Sequence, residues 1–141
     1  GFLEGNTSSV TAILNSLLTS YVSIRDLATK SKLENFYHGF MSGIFTVSEN
    51  SAKEYKSNFE AGNGYADISF RNSDKTKVAI LELKTAPCEK DMKVVAQKAL
   101  QQIEAKQYAK EFLELPTVQS IETYGIAFFN KQCYIVSRKI L

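Results

Sequence analysis

The sequence predicts a single α/β domain whose elements follow in the order α, α, β, β, β, α, β, β. Its 141 residues are 44% hydrophobic and 23% charged, which is enough apolar material to bury a core and fold as one unit. Apolar positions recur at helical spacing in three long segments, and turn-rich clusters bound shorter segments that read as strands. We therefore expect residues 1–141 to form one domain, and the initial glycine suggests a piece excised from a larger protein.

Two amphipathic helices are predicted in the first third of the chain. Residues 10–28 carry apolar side chains at helical spacing, and the three hydroxyl side chains of residues 7–9 are candidate caps. A second helix begins at Ser31, where Glu34 completes a capping box, and its apolar side chains form one stripe. Both apolar faces are expected to pack on the core.

Three consecutive strands are predicted over residues 52–84. They are interrupted by two turn-rich clusters, AGNG at residues 61–64 and NSDK at residues 72–75. Because such short connections join neighbouring antiparallel strands, we expect these three strands to form a meander.

A long helix and two further strands complete the predicted fold. Residues 91–115 keep apolar side chains on one side and read as one helix, which Pro116 ends. Residues 122–129 and 132–140 read as strands, joined by a short turn at residues 130–131.

Composition excludes several classes of function. The net charge of +2 is too small to indicate a nucleic-acid partner by itself. Cys88 and Cys133 lack metal-ligand spacing, and the single histidine, His38, has no companion for a zinc site. These features favour a reduced, cytoplasmic protein over a secreted disulfide scaffold. No apolar run is long enough to span a bilayer and no signal peptide is apparent, so no membrane partner is expected.

Three charged residues stand within two segments that otherwise read as buried strands. Side-chain alternation places Glu82 and Lys84 on one face of their strand. If the preceding hairpin is centred between Asp74 and Lys75, Asp67 lies opposite Glu82, with Cβ atoms about 5 Å apart. Two facing carboxylates repel unless a positive charge lies between them, and a magnesium ion held by one or two carboxylates satisfies both. Lys84 can hold a water molecule or a phosphate oxygen on the same side.

These residues resemble the catalytic signature of the PD-(D/E)XK nuclease superfamily, with Asp67 followed by Glu82-Leu83-Lys84. Over residues 31–138 the chain is similar to the nuclease-like domain often found after an AAA-type ATPase domain in bacterial proteins. Five blocks carry this resemblance, in the order ENFYHGFMSGIF, EAGNGYADISF, AILELK, ALQQIEAKQYA and YGIAFFNKQCYIV. A departure is Ala66, which stands where the superfamily's name has proline.

The resemblance implies a restriction-endonuclease-like α/β fold, with a mixed central sheet flanked by helices. Its α-β-β-β-α-β core would carry an extra N-terminal helix. It also implies phosphodiester hydrolysis with magnesium, or manganese as an alternative ion. Carried over residue by residue, it makes Asp67, Glu82 and the backbone carbonyl of Leu83 the metal ligands. Lys84 would position the attacking water, and Gln102 would steady the site from its helix.

Several of these residues also have structural interpretations. Asp67 can be a solvated strand-edge residue, and Glu82 with Lys84 can be the exposed polar face of an antiparallel strand. Apolar Val78 and Ile80 on the same face speak against the second interpretation.

Three helical residues keep two interpretations each. Glu34 is either an additional catalytic carboxylate, as the resemblance places it, or the capping-box acceptor. His38, one turn later, is either a partly buried helix residue or a catalytic group. Gln102 is either a site residue or a solvated helix position, although Ala99 and Ile103 flank it on the side facing the sheet.

Basic side chains near the predicted hairpin are candidates for binding the nucleic-acid backbone. They are Arg71, Lys75, Lys77, Lys53 and Lys56. Lysines on a solvated sheet edge that discourage strand pairing are the alternative interpretation.

The predicted function is a magnesium-dependent nuclease acting on nucleic acid, with DNA favoured over RNA. The alternative is a catalytically silent nuclease fold kept as a binding or interaction module within a larger protein. A further alternative is a domain that regulates an ATPase domain of the same full-length protein. The chain itself contains no phosphate-binding glycine loop.

Overall fold

The structure is a computed structural model that describes residues 2–21, 37, 39–43, 53–60, 65–106 and 108–141. At residues 21, 53–60 and 65–67 it describes the backbone only. In the part described, no helix is long and apolar enough to cross a membrane.

The first helix, α1, spans Thr7–Tyr21 and follows a 3₁₀ turn at Phe2–Glu4. The helix begins three residues before the predicted start. Its N-cap is Asn6, whose side-chain Oδ1 accepts a hydrogen bond from the Ser9 backbone N–H at 3.1 Å. The prediction that residues 7–9 supply the cap is therefore wrong by one residue. Part of the second predicted helix is described, and residues 37 and 39–43 are helical.

The single long helix predicted over residues 91–115 is two helices. After a 3₁₀ turn at Glu89–Asp91, α2 spans Met92–Ala105, and α3 spans Lys110–Leu113. At the break, the Tyr108 backbone N–H donates to the Ile103 carbonyl at 3.2 Å, one residue beyond the regular helical partner. Beyond the break, α3 packs against the sheet. The buried α3 side chains there include Phe112.

Five strands form one mixed sheet in the order β1-β2-β3-β4-β5. Neighbours are antiparallel except β3 and β4, which are parallel and connected through α2. The bounds are Lys53–Glu60, Tyr65–Arg71, Lys77–Thr85, Ser120–Phe129 and Gln132–Lys139, for β1 to β5 respectively. This confirms the meander, the final hairpin and the predicted α/β class with a mixed central sheet and flanking helices.

Local chemistry holds the β2–β3 hairpin in register. The Asn72 side-chain Oδ1 accepts hydrogen bonds from the backbone N–H groups of Thr76 and Lys77, at 2.9 and 3.0 Å. Lys75 adopts a left-handed conformation with φ 61°. An asparagine side chain that closes the turn in this way leaves little freedom for the strands to slip against each other.

The two faces of the sheet are packed differently. The α1 face is covered by α1 and by residues 37 and 39–43, whose buried members join the strands in one continuous apolar cluster. The α2 face is covered by α2 and α3, and its buried apolar residues form two separate clusters. Glu82 lies between those two clusters.

Candidate functional site

The predicted facing of two acidic residues is confirmed by the strand register. Asp67 of β2 pairs directly with Glu82 of β3. Glu82 lies on the α2 face, since it alternates with Leu81 and Leu83 of the α1-face cluster. The Glu82 side chain is 0% exposed. Taking a carboxylate fully out of water costs several kcal/mol unless positive charge compensates it, so burial of Glu82 by itself works against stability.

Glu82 occupies the gap between the two apolar clusters of the α2 face. On one side, β3 contributes Val78 and Ile80 to the first cluster. On the other side, Ala86 and the β4 residue Ala127 belong to the second. The strands continue without interruption through the gap, so the break in apolar packing comes from the side chains alone. Here the sheet presents polar chemistry to α2.

Lys84 is another charged residue of β3, two positions after Glu82. It lies on the same face as Glu82, is half-buried, and pairs with Ala127 of β4. Its neighbour Leu83 is fully buried in the α1-face cluster. Only the main chain of Leu83 can therefore contribute to a site on the α2 face. The structure thus brings the backbones of Asp67, Glu82 and Lys84 together as the motif requires.

Gly125 brings α2 close to the row of paired strand residues that contains Glu82. It pairs with Glu82 across the parallel β3–β4 ladder. A Cβ at this position would lie 2.0 Å from the Ala96 carbonyl oxygen and 2.6 Å from the Leu100 backbone nitrogen. Both atoms belong to the backbone of α2, so only glycine permits this approach. The helix backbone consequently crosses the sheet one strand away from Glu82.

The orientation of α2 about its own axis follows from two contacts on β5. Glu104 is ion-paired with Arg138, and Lys93 lines a cavity of about 490 Å³ together with Lys131 and Tyr134. One flank of α2, the β5 flank, therefore faces β5. The other, the β3 flank, faces β3.

Gln102 lies on the β3 flank of α2. At about 100° per residue it is offset by about 200° from Glu104. The residue is half-buried. Helical side chains lean toward the helix N-terminus, which for Gln102 is the direction of the Gly125 and Glu82 row. The interpretation of Gln102 as a site residue stays a prediction.

The available donors suit a magnesium or manganese ion that completes its coordination shell with waters and substrate, rather than a metal ion coordinated entirely by protein side chains. Among the described side chains, no group of three or more His, Cys, Asp or Glu could hold a metal. Asp67 and Glu82, at paired positions, offer two hard oxygen donors. Mg²⁺ is typically bound by one or two carboxylates and completes its shell with waters and substrate phosphate oxygens.

Three of the basic residues proposed to bind the nucleic-acid backbone, Arg71, Lys75 and Lys77, lie away from this row. Lys75 and Lys77 are exposed at the β2–β3 turn, and Lys77 is five residues or about 17 Å along the strand from Glu82. The Arg71 guanidinium carbon lies 6.0 Å from the centre of the Phe112 ring, a packing contact with α3. Lys53 and Lys56 belong to β1, where the backbone alone is described.

Two candidates, Glu34 and His38, lie outside the described residues. The sequence reasoning missed the role of Gly125. An isolated glycine in a predicted strand signals close approach of another backbone, and YGIAFF carries that signal. It also gave no role to Thr123, a buried polar residue on the same face, whose hydroxyl donates to the Arg138 carbonyl at 2.9 Å.

A family model described as the PD-(D/E)XK nuclease superfamily matches residues 32–138. The match covers every strand and α2, including the Asp67, Glu82 and Lys84 positions. No curated protein gives a significant match to the chain. No solved structure gives one either.

Proposed function

The chain belongs to the PD-(D/E)XK nuclease superfamily, and from this membership we propose that it is a divalent-metal-dependent nuclease with DNA as its main substrate. Members of the superfamily generally hydrolyse phosphodiester bonds. The observation that carries the proposal is the pairing of Asp67 with the fully buried Glu82, two residues before Lys84. A fold kept only for binding has no need to hold two acidic residues in facing positions.

In this proposal Asp67, Glu82 and the backbone carbonyl of Leu83 hold a magnesium ion, for which manganese can substitute. When bound, the ion supplies Lewis acidity to the phosphodiester and to the attacking water. The burial of Glu82 contributes by excluding bulk water from one side of the site, which strengthens every electrostatic interaction there.

Lys84 orients the attacking water and offsets the negative charge that develops on the phosphoryl oxygens. The water oxygen bonds to phosphorus as the bond from phosphorus to one ester oxygen breaks. One water proton leaves to solvent, and the departing oxygen takes up a proton to become a hydroxyl. No covalent bond to the protein forms. Gln102 steadies the site from α2, and Glu34 is proposed as an additional carboxylate.

The proposed partners are nucleic acid and an ATPase domain of the same full-length protein. Arg71, Lys75, Lys77, Lys53 and Lys56 are proposed to contact the substrate backbone at a distance from the cleaved bond. The spacing between Lys77 and Glu82 is consistent with a substrate that extends along the β2–β3 hairpin.

The deciding experiment incubates the purified chain with labelled single- and double-stranded DNA and RNA, with Mg²⁺, Mn²⁺ or a chelator. We expect cleavage of DNA that needs the ion and disappears in the Glu82→Gln variant, which controls for contaminating nucleases. Binding without cleavage under every condition would contradict the proposal and identify a silent binding module. Preferential cleavage of RNA would correct the substrate class.

A further inference from the structure

A cavity of about 490 Å³, the β5 cavity, opens at the edge of the sheet beside the start of β5. Its lining comes from the β4–β5 turn, the first residues of β5, α1, and the segment that begins α2. Sites for small ligands have volumes of roughly 300–1,000 Å³. The β5 cavity therefore has room for a ligand the size of one nucleotide.

The described lining of the β5 cavity is basic. Lys90 lies in the 3₁₀ turn before α2, Lys93 in the first turn of α2, and Lys131 in the β4–β5 turn. Among the described lining residues Glu89 is the one acidic side chain, so lysines outnumber acidic residues by three to one. Such a group of ammoniums attracts an anion, and lysine binds a phosphate as a point charge.

Tyr134 adds an aromatic surface to the same cavity. The residue is 38% exposed, although it belongs to a strand of the central sheet. An exposed ring beside basic side chains is the combination on which the bases of single-stranded nucleic acids stack. Asn15 adds a polar group from α1, and its Oδ1 accepts a hydrogen bond from the Cys133 backbone N–H at 2.7 Å. Because the oxygen makes this bond, the amide nitrogen is the group of Asn15 that can donate to a ligand.

The strand register gives the position of the β5 cavity relative to the proposed metal site. Tyr134 pairs with Ala127 of β4, and Ala127 pairs with Lys84 of β3. Neighbouring strands are about 4.8 Å apart, so about 10 Å separates the backbones of Tyr134 and Lys84. Met92, the first residue of α2, packs with Ala127 between them. The cavity is therefore distinct from the metal site, and a strand of a few nucleotides is long enough to contact both.

We propose that the β5 cavity binds one nucleotide of a single strand, with the phosphate on the lysines and the base against Tyr134. This inference rests on the nuclease function proposed above for the class of ligand, and it adds a second place where the substrate is held. A single strand suits the cavity better than a duplex, because an unpaired base can offer its face to an aromatic ring.

The test measures binding of a short fluorescein-labelled oligothymidylate by anisotropy in chelator, at KCl concentrations between about 50 and 200 mM. Lys93→Ala and Lys131→Ala should each lower the slope of log affinity against log salt by about 0.7, the value for one lost contact with a single strand. Tyr134→Leu should weaken binding about 5-fold or more at every salt concentration and leave the slope unchanged, since it removes stacking and no charge. Tyr134→Phe should keep the affinity, because the ring remains.

Lys98→Ala is the matched control on the same helix. Lys98 is exposed and lies about 200° around α2 from both Ala96 and Leu100, which face Gly125. It is therefore on the helix face turned away from the sheet, and it does not line the β5 cavity. Both its affinity and its salt slope should match those of the wild type.

Unlabelled thymidine monophosphate separates a nucleotide within a strand from a free nucleotide. Competition only at concentrations far above those of unlabelled oligothymidylate supports the strand, and competition at equal concentrations overturns it. Loss of affinity in the lysine variants with no effect of Tyr134→Leu would overturn the nucleotide assignment, and is the result expected if the lysines hold an acidic peptide instead.

Salt slopes in Lys93→Ala and Lys131→Ala equal to that of Lys98→Ala would overturn the inference, as would a wild-type chain that binds no nucleic acid. The two proposals can fail separately. A chain that cleaves DNA while the cavity variants behave as Lys98→Ala refutes the β5 cavity as a binding site alone. A chain that binds the oligonucleotide through the cavity but never cleaves nucleic acid refutes the nuclease function alone.

Discussion

The two faces of the central sheet differ in the kind of side chain that they bury beneath the helices. Among the described residues, those buried on the α1 face are apolar, and its buried thiol and phenol groups stay neutral. Burial raises the pKa of the Cys133 thiol and of the Tyr37 phenol to about 12 each. On the α2 face, the apolar packing divides around Glu82 and Lys84. One sheet therefore carries a structural face and a chemical face.

This division shows how a small domain can carry a costly polar site. A strand alternates its side chains between faces, so β3 supplies Leu81 and Leu83 to the continuous core and Glu82 and Lys84 to the proposed site. The same backbone hydrogen bonds hold both sets in place. The site inherits the rigidity of a central strand, which is the support that a precisely oriented catalytic group requires.

The largest expected effect comes from removing either acidic residue of the chemical face. Asp67→Ala and Glu82→Ala should each lower metal-dependent cleavage by at least about 10³-fold, since each removes a group on which the charge balance of the site depends. Stability in chelator should hold or rise, because the facing acidic residues no longer repel. Cleavage rates and urea unfolding check both parts. Native turnover in either variant would mean that the metal site is assigned to the wrong residues.

The converse change disrupts the structural face at Leu81, one residue before Glu82 on β3. Leu81 is fully buried in the α1-face cluster, so Leu81→Ala should cost about 2–5 kcal/mol of unfolding free energy by leaving a cavity. At temperatures where the variant is folded, its cleavage rate per folded molecule should stay close to that of the wild type. Urea unfolding and cleavage assays measure the two quantities. A loss of less than about 1 kcal/mol would show that the α1 face is not tightly packed.

Lys84 sharpens the comparison within the chemical face. If it orients water, Lys84→Ala should lose about 10²-fold in rate while magnesium affinity stays within a small factor or tightens. Lys84→Arg should rescue poorly, because the guanidinium fork cannot place one charge where the ammonium was. Single-turnover rates at several magnesium concentrations provide the measurement. Near-native rates in both variants would remove Lys84 from the mechanism and leave it as a structural partner of the strand.

The sequence predicts best what is encoded locally. The facing of Asp67 and Glu82 could be foreseen because a short turn sets strand register, and the Asn72 side chain closes that turn. The break between α2 and α3 could not. Residues 106–109 continue a helical pattern, and the break accompanies the packing of Phe112 against the sheet, which the pattern does not report.

The surroundings of the basic residues could not be predicted from the sequence either. Arg71 reads from the sequence as a backbone-binding cation, and its contact with Phe112 depends on where α3 lies. Lys93 faces β5 only because of the rotation of α2 about its own axis. That rotation is recorded by the contacts of α2 with β5 and by its close approach to Gly125. Such features depend on tertiary packing, which periodicity does not report.

Gly125 connects a local sequence signal with tertiary packing, since it sets the distance between α2 and the row of paired residues that contains Glu82. In Gly125→Ala the new Cβ would meet the Ala96 carbonyl oxygen at 2.0 Å, and a backbone atom cannot rotate away. The helix must shift, which should cost about 1–3 kcal/mol and lower cleavage by moving Gln102. Gly39→Ala is the control, because a Cβ on that exposed helical glycine would meet no described atom within 4 Å, and the variant should gain up to about 1 kcal/mol of unfolding free energy. Urea unfolding should therefore move in opposite directions for the two variants. If Gly125→Ala is as stable and active as the wild type, α2 is not held at the distance that we infer.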